Sequence, residues 1–120
     1  MSAGADQPPD EQPRLSPEDR IARNEAAFRD VNERIANGQW PGDADAPIAF
    51  RCECGNLSCN MLVEVTAAAY ERVRADPRHF ILLPGHEIDG VEVVVEREDG
   101  YVVVEKVGTA GEVAQATDPR

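Results

Sequence analysis

Aromatic residues, cysteines, basic groups and long apolar runs are all scarce in this chain, and each shortage removes a class of protein. Phe, Trp and Tyr make up 5% of 120 residues, so one modest core is expected, of the size that gains most from an added staple such as a metal. Lys and Arg number 12 against 23 Asp and Glu, a formal charge of −11. Nucleic-acid binding needs basic groups to neutralise phosphates, which argues against that partner and leaves the acidic excess to solubility or to a basic protein surface. No stretch is long and apolar enough to cross a bilayer, and the first twenty residues hold no signal-like apolar core. A cytoplasmic protein without membrane contact is therefore expected.

Cysteine is scarce in an informative way. There are 3, all between positions 52 and 59, and an odd, crowded set is a poor disulfide framework but a good metal loop. Also missing are a glycine-rich nucleotide loop, a Ser-His-Asp order, a basic aromatic patch and any internal repeat. The zinc-deaminase pattern fails as well, because it needs His-x-Glu and a later Pro-Cys-x-x-Cys, whereas here His86 is followed directly by Glu87.

The composition that is present divides the chain in three. Residues 1–15 are acidic and proline-rich with little to bury, and read as a disordered tail. Residues 16–107 read as a single domain. Residues 108–120 read as a flexible C-terminal tail, with room for a short helical turn about Glu112–Ala116.

Ser16, Pro17, Glu18 and Asp19 form a helix start: a capping hydroxyl, a proline at the first helical position and acids at the positive dipole end. Ile21, Phe28, Val31 and Ile35 share a stripe, which either packs on the domain's own sheet or is offered to a partner helix. Asp19–Arg23, Glu25–Arg29 and Asp30–Arg34 read as four-apart pairs on the opposite, solvated face, and Asn37-Gly38 as the stop. After Trp40-Pro41-Gly42 and an Asp/Ala/Pro linker, Ile48–Phe50 and Met61–Val65 read as strands leading into and out of the cysteines. Thr66 caps a second helix to about Ala75, with Tyr70 and Val73 inward, and Asp76-Pro77 stops it.

Phe80–Leu83 is a short buried strand, and Leu83-Pro84-Gly85-His86 has the order of a type II turn. Val91–Arg97 and Tyr101–Lys106, joined by Asp99-Gly100, predict a hairpin. Regular pairing across it would place Val93, Val95, Val102 and Val104 on one face, with Glu92, Val94, Glu96 and Val103 on the other. The fold class predicted is α+β, a small antiparallel sheet with one or two packed helices and a structural zinc site.

Zinc takes thiolate and imidazole ligands in a tetrahedron. Residues two apart in an extended segment face the same side, so Cys52 and Cys54 can converge on one ion, with Gly55-Asn56 turning the chain back to Cys59. For the fourth ligand the rigid Pro84-Gly85 turn favours His86. His79 borders a buried run and is the less favoured imidazole, and Glu53 or Glu87 reads more simply as a solvated neighbour. One zinc per chain is expected, with an iron–sulfur centre as the alternative.

Phe50-x-Cys52-Glu53-Cys54, Cys59, Glu71-Arg72-Val73-Arg74, Pro84-Gly85-His86-Glu87 and Tyr101–Lys106 together resemble a group of small uncharacterised bacterial proteins. The helix from Arg23-Asn24-Glu25 to Ile35 resembles theirs as well, so that the likeness runs over about residues 18–114. The resemblance implies that Cys52, Cys54, Cys59 and His86 belong together, and it carries no activity. Three functions fit these residues: a zinc-stabilised module that binds a protein partner, a thiol-based redox or metal sensor, and a small zinc enzyme with water in the place of His86 and Glu87 as base. Nothing in the sequence sets the oligomeric state.

Overall fold

The computed structural model describes residues 16–38 and 45–120; the tail at 1–15 and most of the linker at 39–44 lie outside the described residues. Helix α1 (Pro17–Gly38) leads to strands β1 (Pro47–Arg51) and β2 (Leu62–Thr66), and helix α2 (Ala67–Arg74) follows at once. Strands β3 (His79–Leu82), β4 (Glu92–Glu98) and β5 (Tyr101–Lys106) come next, and α3 (Gly108–Ala116) closes the chain. Among the described residues the architecture is α+β: three helices with two small antiparallel sheets, β1-β2 and β3-β5-β4. Among the described residues no helix is long and apolar enough to cross a membrane.

Local signals place most boundaries. Ser16 Oγ accepts from Asp19 N at 3.1 Å, and Thr66 Oγ1 accepts from Ala69 N at 3.0 Å, each satisfying an orphan donor of a first helical turn. In β1 and β2, Ile48 opposes Val65 and Phe50 opposes Val63, and all four are buried. Phe50 stacks on Tyr70 of α2, ring centres 4.2 Å apart. Phe80, Leu82, Val102 and Val104 join the same core.

The β4–β5 hairpin departs from the regular pairing. Glu98 opposes Tyr101 across the Asp99-Gly100 turn, where Gly100 has φ +89°, but a bulge between Val94 and Glu96 takes Val95 out of register. Val104 is therefore opposed by Val94 rather than Val95, and Lys106 by Glu92. One inserted residue exchanges the two faces of everything beyond it. Val93 and Val95, expected inward, are consequently exposed, while Glu92 is buried.

Helix α1 also turns a different face inward. Of the expected stripe only Phe28 is buried; Ile21 and Ile35 are half-buried and Val31 is exposed. The buried face carries Ala22, Glu25, Ala26, Arg29, Asn32 and Glu33, so Glu25 and Arg29, expected as a solvated pair, are both internal, and Glu25 pairs with Lys106 instead. Arg29 donates to Pro77 O at 2.7 Å and to Ala114 O at 3.0 Å, and its guanidinium lies 4.7 Å from the centre of the Phe80 ring.

Residues 108–116 are helical rather than a flexible tail. Helix α3 packs against α1, and its buried residues Ala110, Gly111 and Ala114 are all small. Beyond it Asp118 pairs with Arg74, and Arg120 pairs with Glu33 and Glu71. An apolar-residue count misses such a helix, because alanine and glycine contribute by letting backbones approach rather than by bulk.

Candidate metal centre

Two pieces of chain deliver the four candidate ligands. The first is the connection from β1 to β2, where Cys52 N donates to Met61 O at 3.0 Å and continues the ladder. Asn56 then organises the turn: its side-chain oxygen accepts from Ser58 N at 2.9 Å and its carbonyl from Cys59 N at 3.0 Å, as turn-forming Asn residues do. The second piece is the turn after β3, in which Gly85 has φ +88° and His86 N donates to Leu83 O at 3.1 Å. These are the features of a type II turn, and they aim the imidazole at the thiols.

His86 Nδ1 lies 3.6 Å from Cys52 Sγ and 3.7 Å from Cys59 Sγ. The three sulfurs and one imidazole nitrogen all lie within 4.8 Å of one another. A tetrahedral zinc ion with Zn–S of about 2.3 Å and Zn–N of about 2.0 Å requires ligand–ligand separations of about 3.5–3.8 Å, which the His86 contacts meet. Cys52, Cys54, Cys59 and His86 thus form one buried group able to hold a metal ion, the arrangement of a structural site.

Thiol acidity fits that role. Burial pushes the Cys52 thiol up to about 12 against the N–H that Leu83 donates to its sulfur, and burial raises Cys54 too. Cys59 is also desolvated, but hydrogen bonds from Met61 N and the neighbouring thiols, with the Arg51 charge, outweigh burial and lower it. Buried thiols of this kind give up their protons when a cation takes the protons' place.

Helix α1 holds the cysteine loop by its backbone. Asn24 Nδ2 donates to Gly55 O at 3.1 Å and Asn32 Nδ2 to Arg51 O at 2.8 Å, while Asn32 Oδ1 accepts from Arg51 N at 2.7 Å. Gly55 is required where the loop meets the helix: a Cβ there would stand 2.5 Å from Ile21 Cγ2 and 2.9 Å from Ile21 O. Gly55→Ala is therefore expected to cost about 1–3 kcal/mol by overpacking. Thermal unfolding with metal present checks this, and an unchanged midpoint would show that the loop is not seated on α1.

The other candidate donors are engaged elsewhere. His79 does not join the cysteines; its Nε2 lies 3.1 Å from Glu105 Oε1, its cross-strand partner, and 3.4 Å from Asp76 Oδ2. Glu87 Oε1 accepts from Gly85 N at 2.9 Å and braces the turn. Glu53, expected in solvent, is fully buried. Its Oε1 accepts from Ile81 N at 2.9 Å, and its Oε2 accepts from Asn32 Nδ2 at 2.7 Å and from Tyr70 OH at 3.2 Å. Burial raises its pKa to about 7, and those donors oppose the shift.

Glu53 and Asn32 are the site residues that the sequence did not disclose. The signal available for Glu53 was parity: if Cys52 and Cys54 face one side of an extended segment, the residue between them faces the other, here toward α1, α2 and β3.

No protein-family model matches the chain, and no curated protein or solved structure matches it.

Proposed function

We propose that the chain binds one zinc ion structurally, and that the loop so closed presents a surface to a protein partner. The observation that carries this reading is the convergence of three thiols and one imidazole, the number of donors that a closed tetrahedral site takes, beneath a loop whose apolar side chains face out. Leu57, Met61 and Leu62 are 72%, 53% and 60% exposed, on a run from Cys54 to Val63 that carries no charged residue in a chain of net charge −11. Exposed apolar groups in a charge-poor surround are the composition of an interface core. The short donor spacing favours a single ion over an iron–sulfur cluster, whose ligands on different irons stand further apart. With His86 in the fourth position the hydrolytic reading has no coordination position left for substrate, and Glu87 braces the turn by accepting from Gly85 N.

The double variant Leu57→Ser, Met61→Ser tests the surface. It should keep wild-type zinc content and thermal midpoint, since neither side chain is buried, and should lose a partner captured by cross-linking from the source cell. A capture profile identical to that of wild type would count against this face as the interface.

A sensor reading has one observation in its favour: an open cleft of about 300 Å³ lined by Cys54, His86, Asn56 and Glu87 gives solutes a route to the site. Peroxide at micromolar concentration should then expel the zinc within minutes and form disulfide from the freed thiols. Retention of the metal under those conditions would leave the structural reading alone.

A further inference from the structure

The two pieces of chain that carry the ligands belong to different sheets, which share no strand ladder. Something must fix their separation, because a fourth ligand displaced by an ångström no longer completes a tetrahedron. Among the described residues, the connections near the site are few: Leu83 N donates to Cys52 Sγ at 3.3 Å, and Glu53 meets Ile81 twice. Glu53 N donates to Ile81 O at 2.9 Å, and Glu53 Oε1 accepts from Ile81 N at 2.9 Å. One residue thus satisfies both backbone groups that Ile81 turns away from β5, acting as a one-residue strand on the edge of β3.

We propose that Glu53 is the positioning residue of the metal centre: its clasp on Ile81 holds the Cys52–Cys54 segment at the distance from the Pro84-Gly85 turn at which His86 Nδ1 completes the ligand set. This rests on the reading of the four donors as a metal site. The path is short. Ile81 is followed by Leu82 and Leu83, Leu83 N reaches Cys52 Sγ, and Leu83 O accepts from His86 N at 3.1 Å to close the turn.

The chemistry requires a carboxylate in particular. Three donors converge on Glu53: Ile81 N–H, the Asn32 amide and the Tyr70 hydroxyl. An ionised carboxylate accepts from all of them, whereas a glutamine must aim an NH₂ group at one. Asn32 has no freedom to turn its amide over, since its Oδ1 accepts from Arg51 N and its Nδ2 also donates to Arg51 O. The same carboxylate therefore ties the ligand segment to α1 and α2 while it grips β3.

The test is the cobalt(II)-loaded full chain, compared among wild type, Glu53→Gln, Tyr70→Phe and Val63→Ala. Wild type should show the ligand-field bands of a tetrahedral site with three sulfurs and one nitrogen; their absence would sink the metal reading itself, separately from the role of Glu53. Glu53→Gln should bind cobalt on the order of 10–100-fold more weakly in a chelator competition, with weakened bands as His86 gives way to water. Val63→Ala, a core truncation in β2, should lower the thermal midpoint and leave the spectrum of the loaded protein as in wild type, so that any fall in its affinity reports lost stability alone. Should Glu53→Gln not fold, Tyr70→Phe, which removes one donor only, should still shift the bands and weaken binding a few-fold. Wild-type affinity and spectrum in Glu53→Gln, or in Tyr70→Phe if that alone folds, would overturn the proposal, as would an equal spectral change in Val63→Ala.

Discussion

His86→Ala should lower zinc affinity by more than about 100-fold and take much of the thermal stability with it. Loss of an outer partner of a metal ligand costs on the order of 10–100-fold, and loss of a ligand should exceed that. Folding and binding are coupled in small metal domains, so affinity and midpoint should fall together. Cys54→Ser should behave alike. His79→Ala should not, because that imidazole is bound to Glu105 and Asp76 and not to the thiols, and should cost only local packing. A chelator competition at one pH on all three variants makes the comparison. Equal retention by wild type and His86→Ala would mean that a carboxylate, His79 or water fills the fourth position, and the water outcome would reopen the catalytic reading.

The second large effect concerns a site with no metal in it. Lys106 is fully buried, and its ammonium pairs with Glu25 and Glu92, both buried as well. Breaking a buried pair from one side leaves charge without compensation, so Lys106→Ala should cost about 3–5 kcal/mol. At about 4–8 °C per kcal/mol for a domain of this size, the midpoint should fall by roughly 12–40 °C.

The pH dependence has a definite sign. Burial raises the Glu25 pKa from 4.5 to about 7 even with Lys106 beside it, and removing the lysine raises it further. A carboxyl whose folded pKa lies above its unfolded one binds its proton more tightly in the folded state, so its contribution to stability falls as pH rises. The gap between Lys106→Ala and wild type should therefore narrow from pH 8 to pH 6. A gap that widened on acidification would mean that Glu25 is not the group left exposed.

Much of the fold could be read from the sequence because it is written in local chemistry. Ser16 and Thr66 are side-chain caps, Pro84-Gly85 and Asp99-Gly100 are turns defined by φ, and Cys52-x-Cys54 is a parity argument; each depends on a few adjacent residues. The misses are long-range. Glu25 and Arg29 stand four apart in the order that favours a solvated pair, and nothing local shows that Lys106, eighty residues on, will meet Glu25 inside the protein. The same blindness hid Glu53, whose three partners come from α1, α2 and β3.

The bulge at Val95 is a different case. Three successive valines offer almost equal side chains to the core in either register. The choice falls to the burial of Glu92 against Lys106, an interaction that alternation does not encode. Helix α3 escaped because its contribution is close approach, seen at Gly111, where a Cβ would stand 2.9 Å from Lys106 O.

The central claim is that one zinc ion sits among Cys52, Cys54, Cys59 and His86. X-ray absorption at the zinc edge, on reduced and freshly purified untagged protein with its metal content measured on the same sample, tests it most directly. The account predicts about one zinc per chain, with a first shell of three sulfurs at about 2.3 Å and one nitrogen at about 2.0 Å. Metal-free protein, or a shell with fewer than three sulfurs, would contradict it.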